Sequence, residues 1–447
     1  MKKLLSSFAI SSIILTMASC SNDIEQTFEK SSDNFNCNKE SAIATAALNA
    51  RDFFFAPESR DASVSVDKIN YITSRSSRSN AEDTLIYVVN FADNKGFAIL
   101  SAVDKDDPVY AVTDCGQYTP DGENVTGVED YIQRAKTLMK SNQDSLIAVK
   151  PTDPSHLLYV DIEEDTLKHV NIPAKVKTHW GQTGFFAKYC PHYSASTNKG
   201  ATGCVITAVA MVMSYYGYPY SIKIDFDGDT SRLPMKLMWN EINKHIVTKH
   251  NCGTENIGLC LATAETHDVI AKLMRQLGHL VNADYRISNT GFAYTGASAA
   301  DAAYLFNKYG YEFNGYYQFK GTNDSKLADD YLLFMFASDS SGNFLSHCFI
   351  VDGCRKLTVK KTEKIYDTER IPWLLISEKD LGTYTNNYMH VNWGWDGEAD
   401  GYYRDNVFNT KKIIESDFPP KSIAGPDSTS YDVINYATVR KQILNID

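Results

Sequence analysis

The sequence predicts an α+β protein in which helices come first and an antiparallel sheet follows. Three observations carry that expectation. Gly203-Cys204 opens an apolar run to Tyr216 that Gly217 and Pro219 stop, the pattern of a buried helix. Two further stretches have helical periodicity: 267–279, with Val269, Ile270, Leu273 and Leu277, and 299–310, which Ser298 and Asp301 open as a capping box. Beyond them the chain breaks into short apolar segments: Tyr331 to Ala337, Phe344 to Val351, Leu374 to Ser377, Tyr388 to Trp393 and Gly401 to Arg404. Asp-Gly pairs at 352, 396 and 400 join these segments and are expected as turns.

The first third of the chain is smaller in scale. Residues 40–55 place Ile43, Ala46, Ala47 and Phe54 at helical spacing. Leu85 to Phe91, the turn Ala92-Asp93-Asn94-Lys95-Gly96, and Phe97 to Ala102 read as a β-hairpin, with Pro108 to Thr113 as a third strand. Gly127 to Met139 is helical in pattern. From Lys140 to Lys177 the chain is charged, punctuated by Pro151, Pro154 and Pro173, and without clean periodicity, so a linker accessible to proteolysis is expected there. Its acidic cluster, Asp161 to Asp165, is expected as a solvated face.

Composition narrows the function classes. The 447 residues are 43% hydrophobic and 12% aromatic, enough for at least one large core and unlike disordered or fibrous chains. Lys and Arg total 44 against 55 Asp and Glu, a net charge of −11 with no long basic run, so nucleic-acid binding is not expected. Nine cysteines are too few here for a disulfide scaffold, and no CxxC pair suggests a zinc ribbon or redox site. The opening Met1-Lys2-Lys3, the apolar stretch from Leu4 to Met17 and the small residues Ala18-Ser19 before Cys20 have the order of an export signal. Cysteine after small residues resembles the lipobox of bacterial lipoproteins, with Met17 where Leu is usual. Cys20 is therefore the expected lipidation site, 1–19 the signal peptide, and the cell envelope the expected location, with release after processing as an option.

Cys204 stands at the first turn of its helix, after the Gly- and Ser/Thr-rich loop from Ser194 to Gly203. Unpaired backbone N–H groups at a helix start favour a thiolate and can receive an oxyanion. A lone Cys before an apolar helix is more often a core residue, so the assignment needs a base within reach and a group to hold that base. Six of the ten histidines follow Cys204, and two of them, His347 and His390, lie in or beside apolar strands. His347 comes about 140 residues after Cys204, the range in which papain-like chains place their histidine. Asn392 follows, with an amide able to fix an imidazole tautomer, and Trp393 beside it can shield the pair from water.

The motifs Ala201-Thr202-Gly203-Cys204-Val205, His347 with Phe349-Ile350-Val351-Asp352-Gly353, and His390-Val391-Asn392-Trp393-Gly394-Trp395 resemble the active-site motifs of streptopain-like cysteine peptidases. Trp180-Gly181-Gln182 resembles the family's oxyanion segment, and the hairpin around Asn90-Phe91 and Gly96-Phe97 its inhibitory propeptide. The resemblance implies a papain-like two-lobed catalytic domain over 166–447, one lobe helical and one antiparallel β, preceded by a small α+β propeptide and linker over 20–165. It implies Cys204 as nucleophile, His347 as general base and then acid, Gln182 as oxyanion donor, and Asn392 with Trp393 orienting or covering the histidine; His390 is then a structural strand residue. It further implies protein or peptide substrates with an apolar P2 residue, the chain's own propeptide as inhibitor, no cofactor, and membrane contact only through the lipid. Cys348 beside the base is a departure, and strand alternation is expected to point it away from the site. Cys252 with Cys260 and Cys348 with Cys354 are close enough to pair or can be buried thiols. A surface-binding lipoprotein without turnover is the competing reading. A metal site from Cys190-Pro191-His192 with His347-Cys348 lacks structural-zinc spacing.

Overall fold

The structure, a computed structural model, describes residues 32–55, 64–75, 82–103, 108–120, 122, 126–147, 158–191, 200–244, 264–287, 293–338, 347–367, 374–408 and 433–441. The leader with Cys20, the Ser194 to Lys199 loop, His192, and Cys252 with Cys260 lie outside them. Among the described residues no helix is long and apolar enough to cross a membrane.

The N-terminal part consists of α1 (Ser32–Phe55), the strands β1 (Val66–Arg75), β2 (Glu82–Phe91), β3 (Phe97–Ser101) and β4 (Val109–Thr113), and α2 (Thr126–Ile147). It is the α+β unit expected, with the 85–102 hairpin in place and β1 added at its edge. A strand, β5 (Leu158–Ile172), stands where a linker was expected, and the boundary drawn after 165 falls inside it. Its partner is β13, and the register sets Asp161, Glu164 and Asp165 opposite Lys364, Lys361 and Lys360. The acidic cluster that reads as a solvated linker face is thus matched to lysines about 200 residues further on, including a Lys364–Glu163 ion pair at 2.7 Å.

The helical part follows: α3 (Cys204–Tyr216), the short pair β6 (Ile222–Lys223) and β7 (Arg232–Leu233), α4 (Met235–Lys244), α5 (Ala264–Leu280), the pair β8 (Asp284–Ile287) and β9 (Ala293–Gly296), and α6 (Ala299–Lys308). The Ser298/Asp301 capping box is present with both reciprocal hydrogen bonds. The β part comprises β10 (Tyr311–Phe313), β11 (Tyr317–Gln318), the helix α7 (Asp324–Ala328), β12 (Leu332–Ser338), β13 (His347–Asp367), β14 (Leu374–Asn392), β15 (Gly401–Arg404) and β16 (Val433–Lys441). The segments 374–377 and 388–393 expected as separate strands are one, β14, because β13 is long enough to pair along nearly all of it.

One sheet runs β1-β2-β3-β4-β15-β14-β13-β12-β16-β10, with β11 on β16 and β5 on β13. Strand alternation divides its central strands between two cores, while α1 covers a third on β2 to β4 with Tyr388 and Tyr402. Leu332, Phe334, Cys348 and Ile350 face the helices α3 to α6, which bury α3 nearly all round. Leu333, Met335, Phe349 and Val351 face the other way, onto α2 of the N-terminal part through Val128, Tyr131, Ile132, Ala135 and Met139. The N-terminal part is therefore joined to the rest by β4 pairing antiparallel with β15, by this shared core, and by α1, whose Phe54 packs on Tyr388 and Tyr402. The Tyr131 hydroxyl sits at the join, donating to the Tyr110 carbonyl at 2.8 Å and accepting from the Arg404 N–H at 3.2 Å.

The Asp-Gly pair at 352 is not a turn. It lies inside β13 at a bulge between Val351 and Gly353, with the Asp352 carboxylate fully buried. The bulge also reverses the alternation, so Cys354 faces the α2 side while Cys348 faces α3. These two cysteines lie on opposite faces of the sheet and outside any disulfide, as do Cys190 and Cys204; Cys115 is disulfide-bonded.

Candidate active site

Four segments build the site: 178–182 ahead of α3, 200–204 leading into it, the start of β13 at His347, and 390–400 from the end of β14 to β15. Cys204 is the first residue of α3, and Gly203 before it holds φ 91°. A side chain at Gly203 would be strained there, and a Cβ would lie 2.9 Å from Thr295 on β9. Glycine thus lets the loop press against β9 and deliver the half-buried Cys204 at the helix start. Burial raises the thiol above its ordinary value, and the N–H groups of Cys348, Val205 and Cys204 itself work against that rise.

His347 opens β13 and is buried. Its Nε2 lies 3.1 Å from the Trp393 carbonyl oxygen. A carbonyl only accepts, so Nε2 carries the hydrogen and Nδ1 is the basic nitrogen. The ring is enclosed by Trp393, Trp395 and Phe349, with centroids 5.9, 6.2 and 6.2 Å away. Burial pushes the imidazole down to about 4, against the Trp393 hydrogen bond. At neutral pH the ring is uncharged and able to take a proton.

The structure brings these two residues together through the peptide between His347 and Cys348, whose N–H reaches the Cys204 sulfur. Alternation does turn the Cys348 side chain away from His347, but the face it enters is that of α3. Its thiol lies close enough to Cys204 to feel a charge there, and burial drives it well above the ordinary thiol range.

Gln182 is buried, and its carbonyl accepts from the Thr202 N–H at 2.8 Å, fastening its segment to the Cys204 loop. The side-chain amide makes only a long contact, 3.5 Å to the Gly394 carbonyl, which leaves it available as a donor. Asn392 differs from expectation. Its Nδ2 donates to the Thr178 carbonyl at 3.1 Å and its Oδ1 accepts from the Gly394 N–H at 3.1 Å. That amide is consumed in shaping the 392–394 turn, and the neighbouring Trp393 carbonyl holds His347 instead.

Two buried carboxylates were not singled out by the sequence. Asp352 accepts from His390 Nδ1 at 2.6 Å and from the Lys175 and Val176 N–H groups at 2.9 and 2.7 Å. Asp400 accepts from the Trp393 N–H at 2.9 Å, with His179 Nδ1 3.0 Å from its other oxygen. Both stand before glycine, which locally signals a turn, and nothing nearby in sequence marks a buried charge. Trp395, named only as part of a motif, stacks on His347. The N-terminal part also reaches the site: Gly127 at the start of α2 packs on the Trp393 indole so closely that a Cβ would collide with it.

This arrangement suits a thiol nucleophile with an imidazole base. Residues 180–403 match the Peptidase C10 family, and residues 38–138 match the Spi protease inhibitor. The chain belongs to the Peptidase C10 family and is a cysteine peptidase carrying its own inhibitor region. Streptopain of Streptococcus pyogenes is 23% identical over 396 residues, covering 84% of this chain and 83% of streptopain; the serotype M1 form is 22% identical over 398. Among solved structures, a prointerpain A fragment from Prevotella intermedia matches with TM-score 0.46 at 18% identity, covering 84% of this chain and 98% of its own. Active interpain A from the same organism matches with TM-score 0.35 at 21% identity, covering 66% and 99%.

The His390–Asp352 pair generates a prediction about stability. Burial alone would lower the His390 value, but the Asp352 charge and hydrogen bond, with Asp114 and Asp400 further off, raise it overall. A raised folded value means that its contribution is fully present below the unfolded value of about 6.5 and is lost as pH rises through the folded one. His390→Ala should destabilise the protein by about 3–5 kcal/mol at pH 5.5, the usual cost of breaking a buried pair. Urea unfolding should show that deficit shrinking towards pH 9; a deficit independent of pH would contradict a charged His390.

Proposed function

We propose that the chain is an endopeptidase zymogen in which the Cys204 sulfur attacks the scissile carbonyl and His347 moves the proton. His347 Nδ1 takes the thiol proton as the C–S bond forms, and returns it to the departing amine as the C–N bond breaks. Water, activated by the same nitrogen, then hydrolyses the thioester. The Gln182 amide and the N–H groups at the start of α3 are the donors for the oxyanion. The observation that carries this reading is the fixed tautomer of His347, with Nε2 bound to the Trp393 carbonyl and the following peptide N–H on the Cys204 sulfur. In the full-length chain burial holds the Cys204 thiol up and the His347 imidazole down, so the pair rests neutral in the inhibited form.

Substrates are extended protein or peptide segments, with an apolar P2 side chain as family membership suggests. The inhibitor region acts in cis, supported by its β4–β15 pairing and by Gly127 on Trp393. Because β5 is paired along β13, processing that preserves the catalytic part cuts between Ile147 and Leu158 and leaves β5 on the mature enzyme. The leader and Cys20 support export and attachment to the cell envelope through lipid.

Mass mapping after thiol alkylation tests the nucleophile: labelling should be selective for Cys204 and suppressed by a peptide-like inhibitor. Cys204→Ser should stay full length, while the wild type acquires a new N-terminus between 148 and 158; labelling spread over several cysteines would favour a binding protein without turnover. Gln182→Ala should lower kcat by about 10²-fold to 10³-fold with KM little changed, the usual loss for one oxyanion donor. A raised KM at constant kcat would make Gln182 a substrate-binding residue only. Cys20→Ala should move the protein from the membrane to the soluble fraction; unchanged membrane association would refute the lipid anchor.

A further inference from the structure

The Trp393 backbone holds the base, and something must hold that backbone. The Trp393 carbonyl accepts from His347 Nε2, the Gly394 N–H of the same peptide donates to Asn392 Oδ1 at 3.1 Å, and the Trp393 N–H, in the preceding peptide, donates to Asp400 Oδ1 at 2.9 Å. Asp400 is fully buried, and its second oxygen lies 3.0 Å from His179 Nδ1. His179 is three residues before Gln182, so one carboxylate joins the segment that carries the oxyanion donor to the residue that orients the base. Its backbone is held within the same part of the chain, the Asp400 N–H donating to the Gly397 carbonyl at 3.2 Å.

We propose that Asp400 is a positioning residue for catalysis, holding the Trp393 backbone so that its carbonyl orients His347 while its other oxygen fixes His179 and the Gln182 segment. The inference rests on the assignment of His347 as the base. Asp400 touches neither substrate nor the reacting atoms. Its effect reaches the reaction through geometry: shifting the Trp393 carbonyl turns the imidazole, and misplacement by about 1 Å can cost ~10²-fold in rate. A negatively charged acceptor also bonds roughly twice as strongly as a neutral one, so the carboxylate should hold the peptide better than an amide would.

The test compares wild type, Asp400→Ala, Asp400→Asn and His347→Ala, each expressed as the full chain and processed by bead-bound wild-type enzyme. Rates are normalised to alkylatable Cys204, so misfolded protein does not count. Asp400→Ala should lose ~10²-fold in kcat, and Asp400→Asn, which keeps a neutral acceptor for the Trp393 N–H, ~10-fold. KM should stay within about twofold of wild type in both, since neither variant alters a substrate contact. A merely structural role would lower the melting temperature while leaving the normalised kcat at the wild-type value, and that result overturns the proposal. Should Asp400→Ala yield no folded enzyme, Asp400→Asn decides alone: a wild-type kcat refutes the proposal and a reduced kcat at constant KM supports it. Activity retained in His347→Ala would overturn the base assignment and this inference with it, whereas an inactive His347→Ala beside fully active Asp400 variants overturns this inference only.

Discussion

The hydrogen bond from His347 Nε2 to the Trp393 carbonyl is the interaction on which the site depends. It selects the tautomer, and with it the nitrogen that can act as base. For it to form, the end of β14 must return to the start of β13, which the antiparallel pairing of Asn392 with Ile350 achieves. The turn after that pair is closed by the Asn392 side chain on the Gly394 N–H. A slip of one residue in register would move Trp393 away from the imidazole and exchange the faces of the strand.

The same alternation explains how one sheet serves two purposes. The face carrying Cys348 and Ile350 packs on α3 and so sets the helix start against β13. The opposite face, with Phe349, Val391 and Trp393, forms a common core with α2 of the inhibitor region. That region extends the sheet through β4 and completes the hydrophobic wall behind the base in a single docked arrangement. Burial of this kind disfavours the imidazolium, consistent with the low His347 value in the full-length chain.

Local pattern sufficed where a residue's role is set by its own element. The α3 helix, the β2–β3 hairpin and the 298–301 capping box were all legible because apolar spacing and caps act over a few residues. The strands bearing His347 and His390 were legible too, although the two Asp-Gly pairs beside them misled. Asp352 and Asp400 are buried by partners 38 and 221 residues away in sequence, His390 and His179. β5 was hidden for a related reason: its acidic residues suit a solvated linker until Lys360, Lys361 and Lys364 are set opposite them. Asn392 shows the limit within a motif. Residue type marks the turn, but which of its atoms serve the histidine depends on where the Thr178 carbonyl lies.

The two aspartates solve one problem in parallel. The chain from Ile172 to Gln182 leaves β5 and enters the loop before α3 with no regular structure after Ile172. Its position cannot come from a ladder of backbone hydrogen bonds, so side chains must supply it. Asp352 takes the N–H groups of Lys175 and Val176, Asn392 donates to the Thr178 carbonyl, and Asp400 takes His179. Each of the three acceptors or donors comes from β13, the end of β14 or the turn before β15, the elements that also hold His347 and Trp393. Gln182 and Thr202 then pass the alignment to Cys204 through a backbone hydrogen bond. Nucleophile, oxyanion donor and base therefore share one frame, and two of its three fastenings are hydrogen bonds to buried carboxylates, where a neutral acceptor would bond about half as strongly.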